Sequence, residues 1–301
     1  MSSRGWNGRA PAGRIAYVNG RYLPHGRAGV HIEDRGLQLG DAVYEVCGVS
    51  SGRLMDEEEH LDRLERSLGE IEIAMPMPRQ ALKLVMREMV RRNGLRDGLL
   101  YLQISRGVAR RDHPIPKTAL QPGLILTARS VSPGEFEKRR QDGVTVITRP
   151  DERWGRCDIK TVQLLPNLLA KTAARRAGAY EAWLVDSDGV VTEGSSTTAW
   201  IVDAKGTLRT RSLSHAILPG VTRRVILEAA EEAQLPVSEA GFSVAEAHSA
   251  KEAFISSATG IMPVIAIGGR PVGEGRPGPV TRRVQELYAL TSAGRAAKSG
   301  T

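Results

Sequence analysis

Runs rich in β-branched and aromatic residues recur along this chain: RIAYVNG, AVYEVCGVS, LLYLQISRG, GLILTARS, VTVITRP, YEAWLVDSDG, VVTEG, TTAWIVDAKG and EAFISSA. Each has the length and flanking turn residues of a strand. Helical periods separate some of these runs but do not alternate with them regularly. In EEEHLDRLERSLGEIEI, residues Leu61, Leu64, Leu68 and Ile71 share one face, which leaves Arg63 off the apolar stripe and free to point elsewhere. A second helix is expected over residues 78–93, with Leu82, Val85, Met86 and Met89 inward, proline in the first turn and Gly94 as the stop. A third follows Pro166, and a fourth runs from about Val221 to Gln234. The pattern is that of an α/β (α+β) protein. Neither G-x-G-x-x-G nor G-x-x-x-x-G-K-[ST] occurs, which argues against a doubly wound nucleotide-binding sheet.

A chain of 301 residues has room for two ordinary domains. The stretch SVSPGEFEKRRQDG combines proline, glycine and charge between two strands and is the expected division. The expected organisation is a disordered lead-in over residues 1–13, a smaller α/β domain over 14–133, a second domain over 134–290 and a flexible tail over 291–301. MSSRGWNGRAPAGR lacks the apolar core of a secretory signal, and no apolar run reaches the roughly 20 residues of a membrane span. Cys47 and Cys157 are the only cysteines, too few for a disulfide framework and without metal-site spacing, which suits a reducing cytoplasm. The net charge of +8, from 42 basic against 34 acidic residues, is spread among acids, and aromatics make up only 4%. No basic, aromatic-interleaved platform for nucleic acid results.

Taken alone, the reactive residues leave alternatives open. Lys160, in RCDIKTVQLLPNLLAK, is either a solvated lysine before a helix or an amine that desolvation makes able to attack a carbonyl. Lys171, beside Arg175 and Arg176, reads as part of a solvated helix face. Glu193 reads as a turn acid after a strand, Arg63 as half of a surface salt bridge, and RRDHP as a charged loop.

HIEDRGLQLGDAVYEV, HLDRL, YLQISRG, RWGRCDIKTVQLLPNLLAK, VTEGSSTTAW, ILPGVTRR and FISSATGIMPV occur in the order found in the class IV (fold type IV) pyridoxal-phosphate aminotransferases. The chain resembles this family from about Ile15 to Tyr288, and its D-amino acid transaminase branch most of all. The resemblance implies two α/β domains with pyridoxal 5'-phosphate held between them, the C-terminal domain being the cofactor-binding one, usually in a homodimer. It assigns Lys160 as the Schiff-base lysine and Glu193 as the carboxylate facing the pyridine nitrogen. Arg63 is implied as a phosphate ligand, together with the backbone at Gly220, Val221 and Thr222 where a helix begins, and Ser257 and Thr259. Ala258 stands where the D-amino acid branch carries threonine, so one hydroxyl is missing. Arg111 and His113, with Tyr44, match the trap for the substrate carboxylate.

The implied activity is ping-pong transamination of D-amino acids, such as D-alanine or D-glutamate, with a 2-oxo acid acceptor. Branched-chain aminotransferases share the scaffold but typically lack the Arg-x-His pair. Aminodeoxychorismate lyase and (R)-amine transaminases use the same cofactor, and a non-enzymatic basic binding module is the reading from another class. Expected partners are small amino and oxo acids, with no nucleic acid, membrane or metal.

Overall fold

The computed structural model describes residues 13–298, which form two compact units. The lead-in expected to be disordered lies outside the described residues except for Gly13.

The first unit runs through Val131 and also includes Lys160–Val162. It contains β1 (Ile15–Val18), β2 (Arg21–Pro24), α1 (Arg35–Leu39), β3 (Ala42–Ser50), β4 (Arg53–Leu54), α2 (Glu57–Glu70), α3 (Arg79–Arg92), β5 (Gly98–Ser105) and β6 (Gly123–Ser130). The strands make a six-stranded antiparallel sheet in the order β2-β1-β6-β5-β3-β4. Helices α2 and α3 turn Leu61, Leu64, Leu68, Leu82, Met86 and Met89 into the core, as their spacing predicts. Ile71 stays partly exposed because α2 ends at Glu70, and Ile73 is buried in its place. Arg63 is buried as well.

The second unit comprises Ser132–Ile159 and the chain from Gln163 onward. Its elements are α4 (Pro133–Asp142), β7 (Val144–Pro150), α5 (Leu165–Arg176), β8 (Glu181–Val185), β9 (Val191–Gly194), β10 (Thr198–Val202), β11 (Leu208–Arg209), α6 (Val221–Glu232), β12 (Val237–Ser238), α7 (Val244–Ser249), β13 (Glu252–Ser257), β14 (Gly260–Ile267), β15 (Arg270–Pro271) and α8 (Pro279–Lys298). A nine-stranded sheet runs β12-β11-β10-β13-β14-β7-β8-β9, with β15 beside β14. It is mixed: β7 is parallel to both β14 and β8. The core holds Trp183 edge-on to Phe242 at 5.7 Å and Trp200 stacked on Phe254 at 5.3 Å.

Three features differ from the sequence reading. SVSPGEFEKRRQDG contains α4, with its proline in the first turn, where it is tolerated. The units divide between Val131 and Ser132, and residues 160–162 return to the first unit, which a single boundary at 133/134 does not describe. They return because they pair with β3: Tyr44 N–H donates to the Lys160 carbonyl at 3.0 Å, and Val162 N–H to that of Ala42 at 3.2 Å. Finally, residues 291–298, expected to be a flexible tail, belong to α8, where Ser292 is fully buried; residues 299–301 lie outside the described residues.

Candidate active site

Pairing with β3 fixes the backbone of Lys160, and its N–H also reaches Ser67 Oγ at 3.4 Å. Its Nζ lies 4.2 Å from the centre of the Tyr44 ring. Among the described residues no carboxylate comes within ion-pair distance of that amine. A cation over an aromatic face gains about 0.5–2 kcal/mol, so the ring can orient the amine. Tyr44 in turn stacks on Tyr101 at 5.6 Å. Burial, helped by the neighbouring Tyr44, pushes the Tyr101 phenol up to about 12.

Lys171 differs from Lys160 and from the solvated residue its neighbours predict. Its Nζ is 3.0 Å from Glu181, a fully buried carboxylate, and 4.4 Å from the Tyr180 ring. Glu181 also accepts from the hydroxyls of Ser195, Ser196 and Thr197. Lys171 is therefore committed to structure.

Arg63 is not a free surface arginine. Its Nε and Nη2 donate to the two oxygens of Glu45 at 2.8 and 2.7 Å, and His60 Nδ1 meets Glu45 at 2.7 Å. One edge of the guanidinium fork is thereby engaged. Burial alone would raise the Glu45 pKa, but the charge and hydrogen bonds of Arg63, with His60, bring it down to about 2. A carboxylate held below its ordinary value near 4.5 contributes stability that is fully present above that pH and lost as the pH falls towards about 2. Urea midpoints should accordingly drop through this window, and Glu45→Gln, already destabilised, should show a smaller drop. An equally steep acid dependence in Glu45→Gln would assign the effect elsewhere.

In the second unit, Glu193 is buried on β9 and is not a turn acid. Arg153 Nη1 donates to its Oε1, and the Leu218 N–H approaches at 3.3 Å. Arg153 is itself held by Asp151, with Nε to Oδ1 at 2.9 Å and Nη2 to Oδ2 at 2.7 Å, and by the Ala216 carbonyl at 3.0 Å. Burial raises the Asp151 pKa less than Arg153 and the Thr192 hydroxyl lower it, so the carboxyl stays ionised. Sequence reasoning does not single out Arg153, although it stands in the quoted RWGRCDIK.

Helix α6 begins at Val221 with Gly220 as its N-cap and no side-chain cap. Its first-turn amides therefore lack the usual side-chain acceptor, and the helix dipole favours an anion there. A Cβ at Gly220 would sit 3.0 Å from Thr198 Oγ1 and 3.3 Å from Arg223 Cβ, so the cradle leaves little room for a side chain. Thr222 donates its hydroxyl to the Ser257 carbonyl at 2.9 Å, and Ser257 and Thr259 share a hydroxyl contact at 2.8 Å. The structure thus gathers Gly220, Val221, Thr222, Ser257 and Thr259 into one group of donors.

Arg111 and His113 lie between β5 and β6, and both are exposed. Among the described residues neither side chain forms a hydrogen bond or ion pair, and none links them to Tyr44. Among the described residues no cluster could hold a metal ion, and no helix is long and apolar enough to cross a membrane.

Comparison with known proteins gives the chain a family. A profile of the family described as Amino-transferase class IV matches residues 42–267. A D-alanine aminotransferase of Bacillus licheniformis is 41% identical over 268 residues, covering 89% of this chain and 93% of that protein. One from Listeria monocytogenes is 38% identical over 273 residues, covering 90% and 93%. Among solved structures, the branched-chain amino acid aminotransferase of Escherichia coli superposes with a TM-score of 0.84 at 25% identity, covering 93% of this chain and 95% of that one. The branched-chain aminotransferase of the thermophilic archaeon Thermoproteus uzoniensis, solved with norvaline, gives 0.80 at 26% identity, covering 93% and 95%.

Proposed function

The chain belongs to the class IV aminotransferase family, and from that premise we propose that it moves the amino group of D-amino acids, D-alanine among them, to a 2-oxo acid by a ping-pong route. It is a fold type IV aminotransferase that uses pyridoxal 5'-phosphate. The residues present fit that group: an amine without a carboxylate partner, a buried carboxylate and an uncapped helix N-terminus. When bound, the cofactor supplies a carbonyl for the substrate amine and a pyridine ring that takes up electron density as the Cα proton leaves.

Lys160 carries this reading. Its Nζ would be the point of attachment and, once freed by substrate, the group that carries the proton away from Cα in the first half of the cycle and back to Cα in the second. Glu193 favours a proton on the ring nitrogen, with Arg153 fixing the carboxylate. The first-turn amides of α6, with Ser257 and Thr259, would hold the phosphate, and Arg63 would add a buried positive charge pinned by Glu45.

The likeness in shape to branched-chain enzymes, at 25–26% identity, belongs to the scaffold the family shares. Identity of 35–41% with D-alanine aminotransferases over about nine-tenths of the chain supports D-amino acids. Arg111 and His113, with unengaged donors, and the phenol of Tyr44 suit a substrate carboxylate. Arg111→Ala and His113→Ala should each lower kcat/KM for D-alanine about ten- to a hundred-fold, the worth of one charge-assisted hydrogen bond, while cofactor content is unchanged. A half-reaction panel of D- and L-amino acids and (R)-amines, followed by cofactor absorbance, tests the specificity. Wild-type kcat/KM in both variants, or preference for an (R)-amine, would turn the reading towards the lyase or amine transaminase activities.

A homodimer accords with this reading. On α5, Leu165, Leu168 and Leu169 stand 67%, 59% and 60% exposed at helical spacing, an apolar stripe that a two-fold partner would cover. Light scattering should give twice the chain mass, and an active monomer at assay concentration would exclude it. Cys47 and Cys157, both buried and unpaired, accord with a cytoplasmic location.

A further inference from the structure

The motif DRGLQLGD, residues 34–41, takes no part in the roles above, yet it holds the buried Arg35, only 4% exposed. A guanidinium withdrawn from water must be fully engaged to be tolerated. Arg35 Nε donates to Asp41 Oδ2 at 2.8 Å, the oxygen that Arg106 Nε also meets at 2.7 Å. The rest of the fork points at main chain: Nη1 donates to the Asp112 carbonyl at 2.8 Å and Nη2 to the His113 carbonyl at 3.4 Å. Asp112 lies between the two residues assigned to the substrate carboxylate.

The base of the same loop is fixed by the same motif. Arg35 N–H donates to the Gly107 carbonyl at 2.9 Å, Ala109 N–H to that of Glu33 at 3.3 Å, and Asp34 bridges to Val108. Gly107 has φ +107, and a Cβ there would lie 2.1 Å from the Gln121 carbonyl, so the two ends of the loop are in close contact. Beyond this base, residues 111–113 are exposed; Asp112 accepts from the His113 N–H at 2.8 Å, and among the described residues the Arg111 and His113 side chains form no hydrogen bond or ion pair. Among the described residues, the Arg35 fork is the side-chain tie that reaches this stretch from outside the loop.

We propose that Arg35 is a positioning residue for substrate specificity: backed by Asp41, its guanidinium holds the Asp112 and His113 carbonyls and thereby aims the Arg111 and His113 side chains. The role rests on the reading that Arg111 and His113 receive the substrate carboxylate. A planar fork fixed by a carboxylate can hold two separate carbonyls at once, whereas a lysine ammonium places its three donors on one flexible atom and cannot span both carbonyls and Asp41 in that fixed geometry. Misplacing a carboxylate-binding pair by about an ångström costs on the order of a hundred-fold in rate at limiting substrate.

The test uses the holoenzyme. Arg35→Met should raise KM for D-alanine about ten- to a hundred-fold with kcat at saturation and cofactor absorbance near the parent's, and Arg35→Lys should recover part of the loss. Backbone hydrogen exchange over residues 108–115 should quicken in Arg35→Met while that of β3 and β5 does not. Added to the Arg111→Ala/His113→Ala double variant, Arg35→Met should cause little further loss, because it acts through those two side chains. Unchanged KM and exchange in Arg35→Met, with Arg111→Ala impaired, would overturn the positioning role and leave the carboxylate reading intact. An unimpaired Arg111→Ala/His113→Ala double variant would remove the carboxylate reading and this role with it. Should Arg35→Met not fold, Arg35→Lys decides, since parental KM and exchange in that variant would also overturn the proposal.

Discussion

Lys160→Ala should abolish steady-state turnover, a loss of about 10⁴-fold or more, and borohydride should no longer fix the cofactor to the chain. Lys171→Ala should keep turnover within a small factor of the parent's. Both are half-buried lysines with an aromatic ring about 4 Å from the amine, at 4.2 and 4.4 Å. What separates them is the carboxylate: Lys171 is paired with buried Glu181, and Lys160 has no such partner among the described residues. An amine held by a buried carboxylate is not free to leave its place. Removing Lys171 leaves buried Glu181 with three hydroxyl donors and the Ala182 N–H but no countercharge, and should cost roughly 1–3 kcal/mol of stability, reduced by the partial exposure of the pair. Rates should therefore be compared at equal folded fraction. Turnover surviving in Lys160→Ala, or vanishing in folded Lys171→Ala, would reverse the assignment of the two lysines.

The sequence shows most clearly what is local. Strands of alternating or β-branched residues and helices with apolar 3–4 spacing are legible because each burial pattern repeats within a single element. Strand β14 escapes the sequence reading because Pro263 interrupts it; the structure places that residue in mid-strand opposite Phe254. Helix α8 reads as a tail at its end because Ser292 and the Ala and Gly residues around it give little apolar contrast, although Ser292 is fully buried. Site residues are legible as motifs, but their partners are not. Glu45 lies 18 residues from Arg63, and Arg153 lies 40 from Glu193, so each pair exists only after the sheets have formed. Buried partners turn a salt bridge expected on the surface into a fixed charge, and such pairing carries no periodic signal.

The Glu193→Gln variant should retain cofactor and slow the chemistry. An opposite charge within about 4–6 Å shifts a pKa by about 1–3 units, and each unit is worth about 1.4 kcal/mol of preference for the protonated ring nitrogen. Glutamine keeps the shape and a hydrogen bond but gives up the charge, so kcat should fall somewhere between about ten- and a thousand-fold. The deficit should fall on the transfer of the Cα proton to Lys160 Nζ, the step that would draw most on the Glu193 charge. The substrate Cα-deuterium isotope effect should therefore grow as that step becomes more limiting. The fold should survive because Arg153 keeps both bonds to Asp151 and one to the Ala216 carbonyl when the Glu193 charge is gone. Arg153 also sharpens the test: a guanidinium left facing a neutral amide disfavours a second positive charge nearby, so Glu193→Gln should be more damaging than the loss of one hydrogen bond. Single-turnover rates with D-alanine at full cofactor occupancy decide the matter, and a rate equal to the parent's would make Glu193 a structural partner of Arg153 with no part in the reaction.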